Sequence, residues 1–196
     1  MTALAPRAEQ AVGRVIKHIA GAMALAGGAI LTLIGLMVCA SILGRQLDGL
    51  WILGPIRADY EMVEIGSALA VFCFLPWCQF NRGHVAVDLV ANALPARARA
   101  VLGLLGDILI AAAAFVMVWR LWAGFGEKLP YGSDALRAAL GMGYRPFFPE
   151  TTYELQMPIW VPYGLAVIGA ALFFLTALYT VWRALNWVLS GAEQPT

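Results

Sequence analysis

The N-terminal part of the chain contains the uncharged stretch IAGAMALAGGAILTLIGLMVCASILG, residues 19–44, between His18 and Arg45. A helix needs about 20 apolar residues to cross the hydrocarbon core of a bilayer. The basic residues before this stretch are also typical of a signal peptide, whose apolar core has only about 7–15 residues. Because the stretch is far longer than that, we interpret it as a retained membrane-spanning helix.

Three further stretches are long and apolar enough to cross a membrane, at about residues 60–79, 100–119 and 158–182. The composition agrees, because 61% of the 196 residues are hydrophobic and only 13% are charged, compared with roughly 25% charged in a typical soluble domain. The mean hydropathy is +0.76. The sequence therefore argues against a soluble enzyme. It predicts a single all-α integral membrane domain, residues 1–196, with four transmembrane helices.

Lysine and arginine residues between the spans predict the orientation, since such residues are enriched in cytoplasmic segments. The N-terminal tail and the segment between spans two and three carry Arg7, Arg14, Lys17, Arg82, Arg97 and Arg99. The segment between spans one and two carries only Arg45 and Arg57. We therefore predict that the N- and C-termini are cytoplasmic and that the loop at about 120–157 is external.

Two connecting segments have helical patterns of their own. Residues 84–94 have an apolar stripe opposite Asp88 and Asn92, which predicts a short amphipathic interfacial helix on the inner leaflet. In the external loop, Ser133 is a suitable N-cap for a short helix that carries Leu136 and Leu140. The rest of that loop is either an ordered cap or a mobile segment.

Small residues recur at helical spacing on two of the spans. Gly21, Gly28 and Gly35 are seven residues apart on span one, as are Ala170 and Ala177 on span four. Such stripes allow two helix backbones to approach closely. They indicate contact faces, either with another span of this chain or with a different protein. Alternatively, they reflect only the frequency of glycine and alanine in membrane helices.

Three acidic residues lie within or at the start of the predicted spans. Asp107 is about two turns into span three, on the face of Gly103, Ala111 and Ala114. An ionisable group there must be paired, protonated or close to water. It is either an ion or proton site or a hydrogen-bonded structural residue, and we expect no second buried acid or base near it.

The other two acids, Glu61 and Glu64, share one face at the start of span two. They form an acidic pair at the mouth of a pathway, or they contact a partner helix or the lipid headgroups.

The sequence shows no recognisable catalytic, metal or cofactor site. His18 and His84 fall outside the apolar stretches, whereas a haem between spans usually has axial ligands inside the bundle. HExxH, GxSxG and P-loop motifs are missing from the sequence, and Cys39, Cys73 and Cys78 form no CxxC. Since 13 basic residues balance 12 acidic ones, we predict no nucleic-acid partner.

The end of span two carries a recognisable pattern. Residues 81–89, NRGHVAVDL, are followed by Leu94-Pro95 and Arg97. This segment resembles the G-H-[IV]-x-V-D-L…L-P-x-R signature of the small membrane subunit, also called DctQ-like, of tripartite ATP-independent periplasmic (TRAP) transporters. The matching positions are Gly83, His84, Val87, Asp88, Pro95 and Arg97.

Residues outside that segment extend the resemblance to essentially the whole chain. Glu61 stands where that family often has an acid, and Glu150-Thr151-Thr152, Pro158 and Trp160 are similar to its entry into the last span. The chain departs from the family in two features. Arg82 occupies a position where glycine is frequent, and the external loop is long.

The resemblance implies partners and a function. In that family a large membrane subunit carries the substrate and sodium sites, and a periplasmic substrate-binding protein delivers the substrate, commonly an organic acid. The small subunit braces the large one in the bacterial inner membrane, in contact with lipid and without a cofactor. The alternatives from the residues are a membrane anchor of a redox complex and a small membrane enzyme that uses Asp107 or the Glu61/Glu64 pair.

Overall fold

A computed structural model describes residues 5–47, 56–83 and 95–190, and the regular structure in these ranges is helical apart from one isolated bridge between Thr151 and Pro158. The helices are α1 (Pro6–Gln46), α2 (Asp59–Phe80), α3 (Ala96–Lys128), α4 (Asp134–Ala139) and α5 (Trp160–Ser190). Four of them, α1, α2, α3 and α5, are long and apolar enough to cross a membrane. This confirms the predicted all-helical class with four spans. The predicted interfacial helix at 84–94 lies outside the described residues.

The long helices continue beyond the apolar stretches from which they were predicted. Helix α1 has 41 residues and is therefore ~60 Å long, about twice the ~30 Å thickness of the hydrocarbon core. Helix α3 continues past residue 119 to Lys128. The additional turns carry charged residues such as Glu9 and Arg14. Charged residues are tolerated at helix ends that extend beyond the hydrocarbon.

Helix α5 lies at the centre of the arrangement. It packs against α3 on one side and α2 on the other, whereas α1 packs mainly against α2. In the apolar section of α5, 44% of the residues are buried inside the bundle, compared with 6% in the apolar section of α1. The α3–α5 contact is a core of small side chains around an aromatic ring, formed by Ala111, Ala114, Phe173 and Ala177. Helix α1 is thus an edge of the bundle.

The face that α1 turns to the bundle has a seven-residue spacing and starts at Gly13. Its buried positions are Gly13, Ala20, Gly27 and Ser41, with Ile34 half-buried between the last two. A Cβ atom on Gly27 would lie 2.9 Å from Cβ of Cys73 and 3.2 Å from the carbonyl oxygen of Ala70. The backbones of α1 and α2 therefore approach closely at Gly27.

The glycine stripe singled out in the sequence lies one residue further along α1. A Cβ atom on Gly21 would meet the Trp77 ring at 3.2 Å, but Gly28 and Gly35 have nothing within 4 Å of theirs. A shift of one residue rotates a helical position by about 100°. Gly28 and Gly35 are thus beside the packed face rather than on it.

These two neighbouring glycines give a matched test of the packing. We expect Gly27→Leu to destabilise the purified chain by about 1–3 kcal/mol, the usual cost of overpacking, because the side chain has no room against α2. Gly28→Leu should leave stability close to that of the wild type. Thermal unfolding in detergent measures both. Equal losses in the two variants would contradict the register of α1 on α2.

Candidate functional sites at the two ends of the bundle

Asp107 is paired inside the protein at the end of the bundle predicted to face the cytoplasm. The side chain is 5% exposed, and its Oδ2 atom accepts a hydrogen bond of 2.7 Å from Nη2 of Arg82. Its Oδ1 atom accepts a longer bond of 3.3 Å from Nε2 of Gln79, which also donates to Oγ1 of Thr180 at 2.7 Å. One network therefore joins α2, α3 and α5.

The backbone at Arg82 explains how its side chain reaches Asp107. Arg82 follows the end of α2 and has a φ of 52°, in the left-handed region that favours glycine and costs other residues roughly 1–2 kcal/mol. Its guanidinium lies 4.5 Å from the centroid of the Trp187 ring. A Cβ atom on Gly103 would lie 3.4 Å from its Nη1 atom. The ion pair and the cation–π contact offset the strain of an arginine at this position.

A second buried base lies in the same region, so the expectation of no other buried acid or base near Asp107 was wrong. Arg183 on α5 is 3% exposed, and its Nη2 atom donates to the carbonyl oxygen of Phe80 at 2.9 Å. Its guanidinium is 5.2–5.7 Å from the ring centroids of Phe80, Tyr179 and Trp187. Arg183 follows directly after the predicted end of span four, and Arg82 follows the end of span two. In the sequence, both arginines occupy positions typical of charged residues that flank a membrane span. In the structure, their long side chains turn back between the helices.

Polar contacts also hold α1 at both of its ends. Near its N-terminus, Glu9 accepts a hydrogen bond from the side chain of Asn186 on α5. Near its C-terminus, Ser41 donates to Oδ2 of Asp59 at 2.7 Å, and Arg45 forms an ion pair with the same carboxylate. The first residue of α2 thereby accepts bonds from two side chains of α1.

At the opposite end of the bundle, Glu61 binds the loop between α3 and α5, which is the loop predicted to be external. Its carboxylate oxygens accept hydrogen bonds from the backbone N–H groups of Glu154 at 2.8 Å and Leu155 at 2.9 Å. Nearby, Nζ of Lys128 on α3 lies 2.6 Å from Oε2 of Glu150. The acid of α2 and the Glu150 segment, which carry separate parts of the family resemblance, are therefore neighbours in the fold.

Glu64 has a different environment from Glu61. It is exposed and lines, together with Glu61, an open groove of about 510 Å³ between α2, α3, α5 and the loop. The groove is mainly apolar, with Phe72, Leu121 and Tyr163 among its lining residues. The two glutamates therefore differ in their contacts: Glu61 accepts hydrogen bonds from the backbone of the loop, whereas Glu64 is exposed.

The loop between α3 and α5 is ordered around Arg137, whose role the sequence did not predict. Arg137 is 2% exposed, and its guanidinium donates hydrogen bonds to carbonyl oxygens of the last turn of α3 and of the surrounding loop. These acceptors belong to Gly126, Leu129, Tyr131, Met142, Gly143 and Tyr144. A buried charge needs such hydrogen bonds. The short helix α4 begins after its predicted cap, Ser133, whose Oγ atom accepts from the backbone N–H of Leu136.

The remaining motif residues are only partly described. Gly83 ends the α2 segment and donates its N–H to the carbonyl oxygen of Cys78 at 2.8 Å, Pro95 precedes α3, and Arg97 lies in its first turn. His84, Val87 and Asp88 lie outside the described residues. Within the described ranges, no group of three or more His, Cys, Asp or Glu side chains has the proximity needed to hold a metal ion.

Comparison with known proteins identifies a family that the chain matches. A family model described as the DctQ component of tripartite ATP-independent periplasmic transporters matches residues 34–186. The matched range begins within α1 and ends within α5, so it includes Arg82, Asp107 and the contacts of Glu61 with the loop between α3 and α5. No protein of curated function and no solved structure matches the chain.

Two substitutions of Arg82 separate its side-chain contacts from its backbone strain. Arg82→Gly and Arg82→Ala both remove the ion pair with Asp107 and should both destabilise the protein. Because φ is positive at this position, we expect the alanine variant to be less stable than the glycine variant by about 1 kcal/mol. Unfolding in a denaturing detergent measures the difference. A glycine variant no more stable than the alanine variant would refute the left-handed turn.

The contact between Glu61 and the loop predicts protection of two particular amides. In Glu61→Ala, the N–H groups of Glu154 and Leu155 lose a charged acceptor, so their hydrogen exchange should accelerate by roughly tenfold or more. Glu64→Ala is the control, since Glu64 is exposed, and it should leave this exchange unchanged. Mass spectrometry of peptides from the loop provides the measurement. Unchanged exchange in Glu61→Ala would show that the carboxylate does not hold the loop.

Proposed function

Because the chain belongs to the DctQ component family of tripartite ATP-independent periplasmic transporters, we propose that it is the small permease subunit of a TRAP transporter and that it braces a large membrane transport subunit. In this proposal the large subunit carries the sodium and substrate sites, and a periplasmic substrate-binding protein delivers an organic acid. The chain itself is non-catalytic. It lies in the bacterial inner membrane with both termini in the cytoplasm.

The match over residues 34–186 carries the proposal, and the polar contacts of the bundle support the bracing role. The Asp107 network joins α2, α3 and α5 at one end, and the contacts of Glu61 and Lys128 join α2 and α3 to the external loop at the other. A bundle held at both ends suits a static support. The carboxylate of Asp107 already has a cationic partner, which favours its structural interpretation over an ion site.

We further propose that the large subunit packs against the face of α1 that contains Gly28 and Gly35. A Cβ atom on either glycine would have nothing within 4 Å, and Leu25 and Leu36 near them are 79% and 64% exposed. Small residues permit close approach of a second helix, and van der Waals packing is the main source of helix association in lipid. The C-terminal part of this face, including Gly35, lies within the family match.

The decisive experiment is co-purification with the large subunit. Gly28→Leu should insert and fold normally but recover roughly tenfold less large subunit, because the added volume separates the two helices. Ala26→Leu is the matched control: Ala26 is exposed and two residues away, about 200° around the helix. The control should co-purify like the wild type. Normal recovery with Gly28→Leu would remove this face from the interface.

Reconstitution tests the accessory role itself. Liposomes that contain this chain alone should show no sodium-dependent uptake of organic acids, and uptake should require the large subunit and the binding protein as well. Sodium-dependent uptake by the isolated chain would refute the accessory role and return Asp107 to consideration as an ion site. The interface proposal fails separately, if uptake needs the large subunit but Gly28→Leu binds it normally.

A further inference from the structure

The external loop presents large apolar side chains to its surroundings although its backbone is well fixed. Phe147 is 90% exposed and Phe148 76%, and on the neighbouring α4 segment Leu136 is 53% and Leu140 44% exposed. We call these four residues the outer apolar edge. Because the backbone around them is tied to Arg137 and to Lys128 through Glu150, the exposure belongs to an ordered surface.

Contacts with α3 define the height of this edge along the bundle. The indole Nε1 of Trp122 donates to the carbonyl oxygen of Leu140 at 2.9 Å, so the loop turns back and runs beside the last turns of α3. Glu150, two residues after Phe148, contacts Lys128. Trp122 and Lys128 are six residues apart, which is ~9 Å along the helix. The outer apolar edge therefore lies within a narrow band beside the end of α3.

That band coincides with the expected membrane boundary. Tryptophan is enriched where hydrocarbon meets the headgroups, and Trp119, one turn below this band on α3, is 59% exposed. Below it, Phe115 is 56% exposed, so an apolar surface runs from α3 up to the loop. Phospholipid headgroups occupy roughly the next 5–8 Å on each side of the hydrocarbon. The height of the edge matches that layer.

We propose that the outer apolar edge inserts into the headgroup and acyl boundary of the membrane, so that the loop is a lipid anchor beside α3. Phenylalanine and leucine supply the apolar area that enters the boundary. The exposed Arg145, between Tyr144 and Phe147, supplies a cation for lipid phosphates. This combination is typical of segments that lie in the plane of the interface. The anchor fixes the height and rotation of α3 and α5 in the bilayer.

Spin labels on the assembled transporter test the proposal. Cys39, Cys73 and Cys78 are first replaced by alanine, and this variant must still co-purify with the large subunit. Nitroxide labels are then attached at Leu136→Cys, Phe148→Cys or Asp134→Cys in nanodiscs of phosphatidylethanolamine and phosphatidylglycerol. Asp134 is the matched control, since it is exposed and about 200° from Leu136 around α4. Collisions with oxygen report lipid, and collisions with a water-soluble nickel chelate report water.

The three possible patterns give different answers. We expect the ratio of oxygen to nickel collisions to be severalfold higher at residues 136 and 148 than at 134, with the labels within ~5–10 Å of the boundary. Dominant nickel collisions at all three positions would place the edge in water and overturn the proposal. Immobilised labels at 136 and 148, shielded from both reagents, would identify a protein partner and also overturn it. Phe148 is largely exposed, so its substitution tests the edge even if changes in α4 prevent folding.

Discussion

The carboxylate of Asp107 must find its partners inside the protein, because hydrocarbon supplies no hydrogen bonds to a charged group. It does so through Arg82 and Gln79, both from the end of α2. Arg82 reaches it because the chain leaves α2 through a left-handed turn, and Gly103 of α3 lies beside the guanidinium. The end of α2, the position of α3 and the packing of Trp187 on α5 all depend on this one ion pair.

At the other end of the bundle, a buried charged group finds its hydrogen-bond partners in a different way. Arg137 is about as buried as Asp107, but among the described residues it has no carboxylate partner, and backbone carbonyl groups surround its guanidinium. These carbonyls need hydrogen-bond donors because they lie in the last turn of α3 or in irregular parts of the loop, where regular backbone partners are missing. A single arginine therefore satisfies a stretch of irregular backbone. Glu61 does the converse, because its carboxylate accepts hydrogen bonds from two backbone N–H groups of the same loop.

The sequence predicts features that depend on the length and composition of a segment. It does not predict which face of a helix packs, or whether a long side chain points to water or into the bundle. Four spans follow from the cost of placing charges in hydrocarbon, and Ser133 follows from local capping chemistry. On α1, however, two stripes with the same spacing lie one residue apart, and contacts with residues distant in sequence, such as Cys73 and Ala70 of α2 beside Gly27, decide which one packs. For Arg82, Arg137 and Arg183, a flexible side chain can point to water or turn inward, and the choice depends on acceptors distant in sequence.

The order of the helices gives the molecule two unlike edges. Helix α1 packs on α2, and α3 packs on the other side of α5, so the glycine face of α1 and the aromatic loop beside α3 belong to opposite outer helices. A bracing subunit needs one edge that fits closely against its partner and another that resists displacement in the bilayer. Glycines suit the first because they allow backbone contact, and phenylalanines suit the second because they lie favourably at the interface. The two proposals thus assign the glycine face of α1 to a protein partner and the aromatic loop beside α3 to lipid. Helix α5 and the Asp107 network connect these two edges.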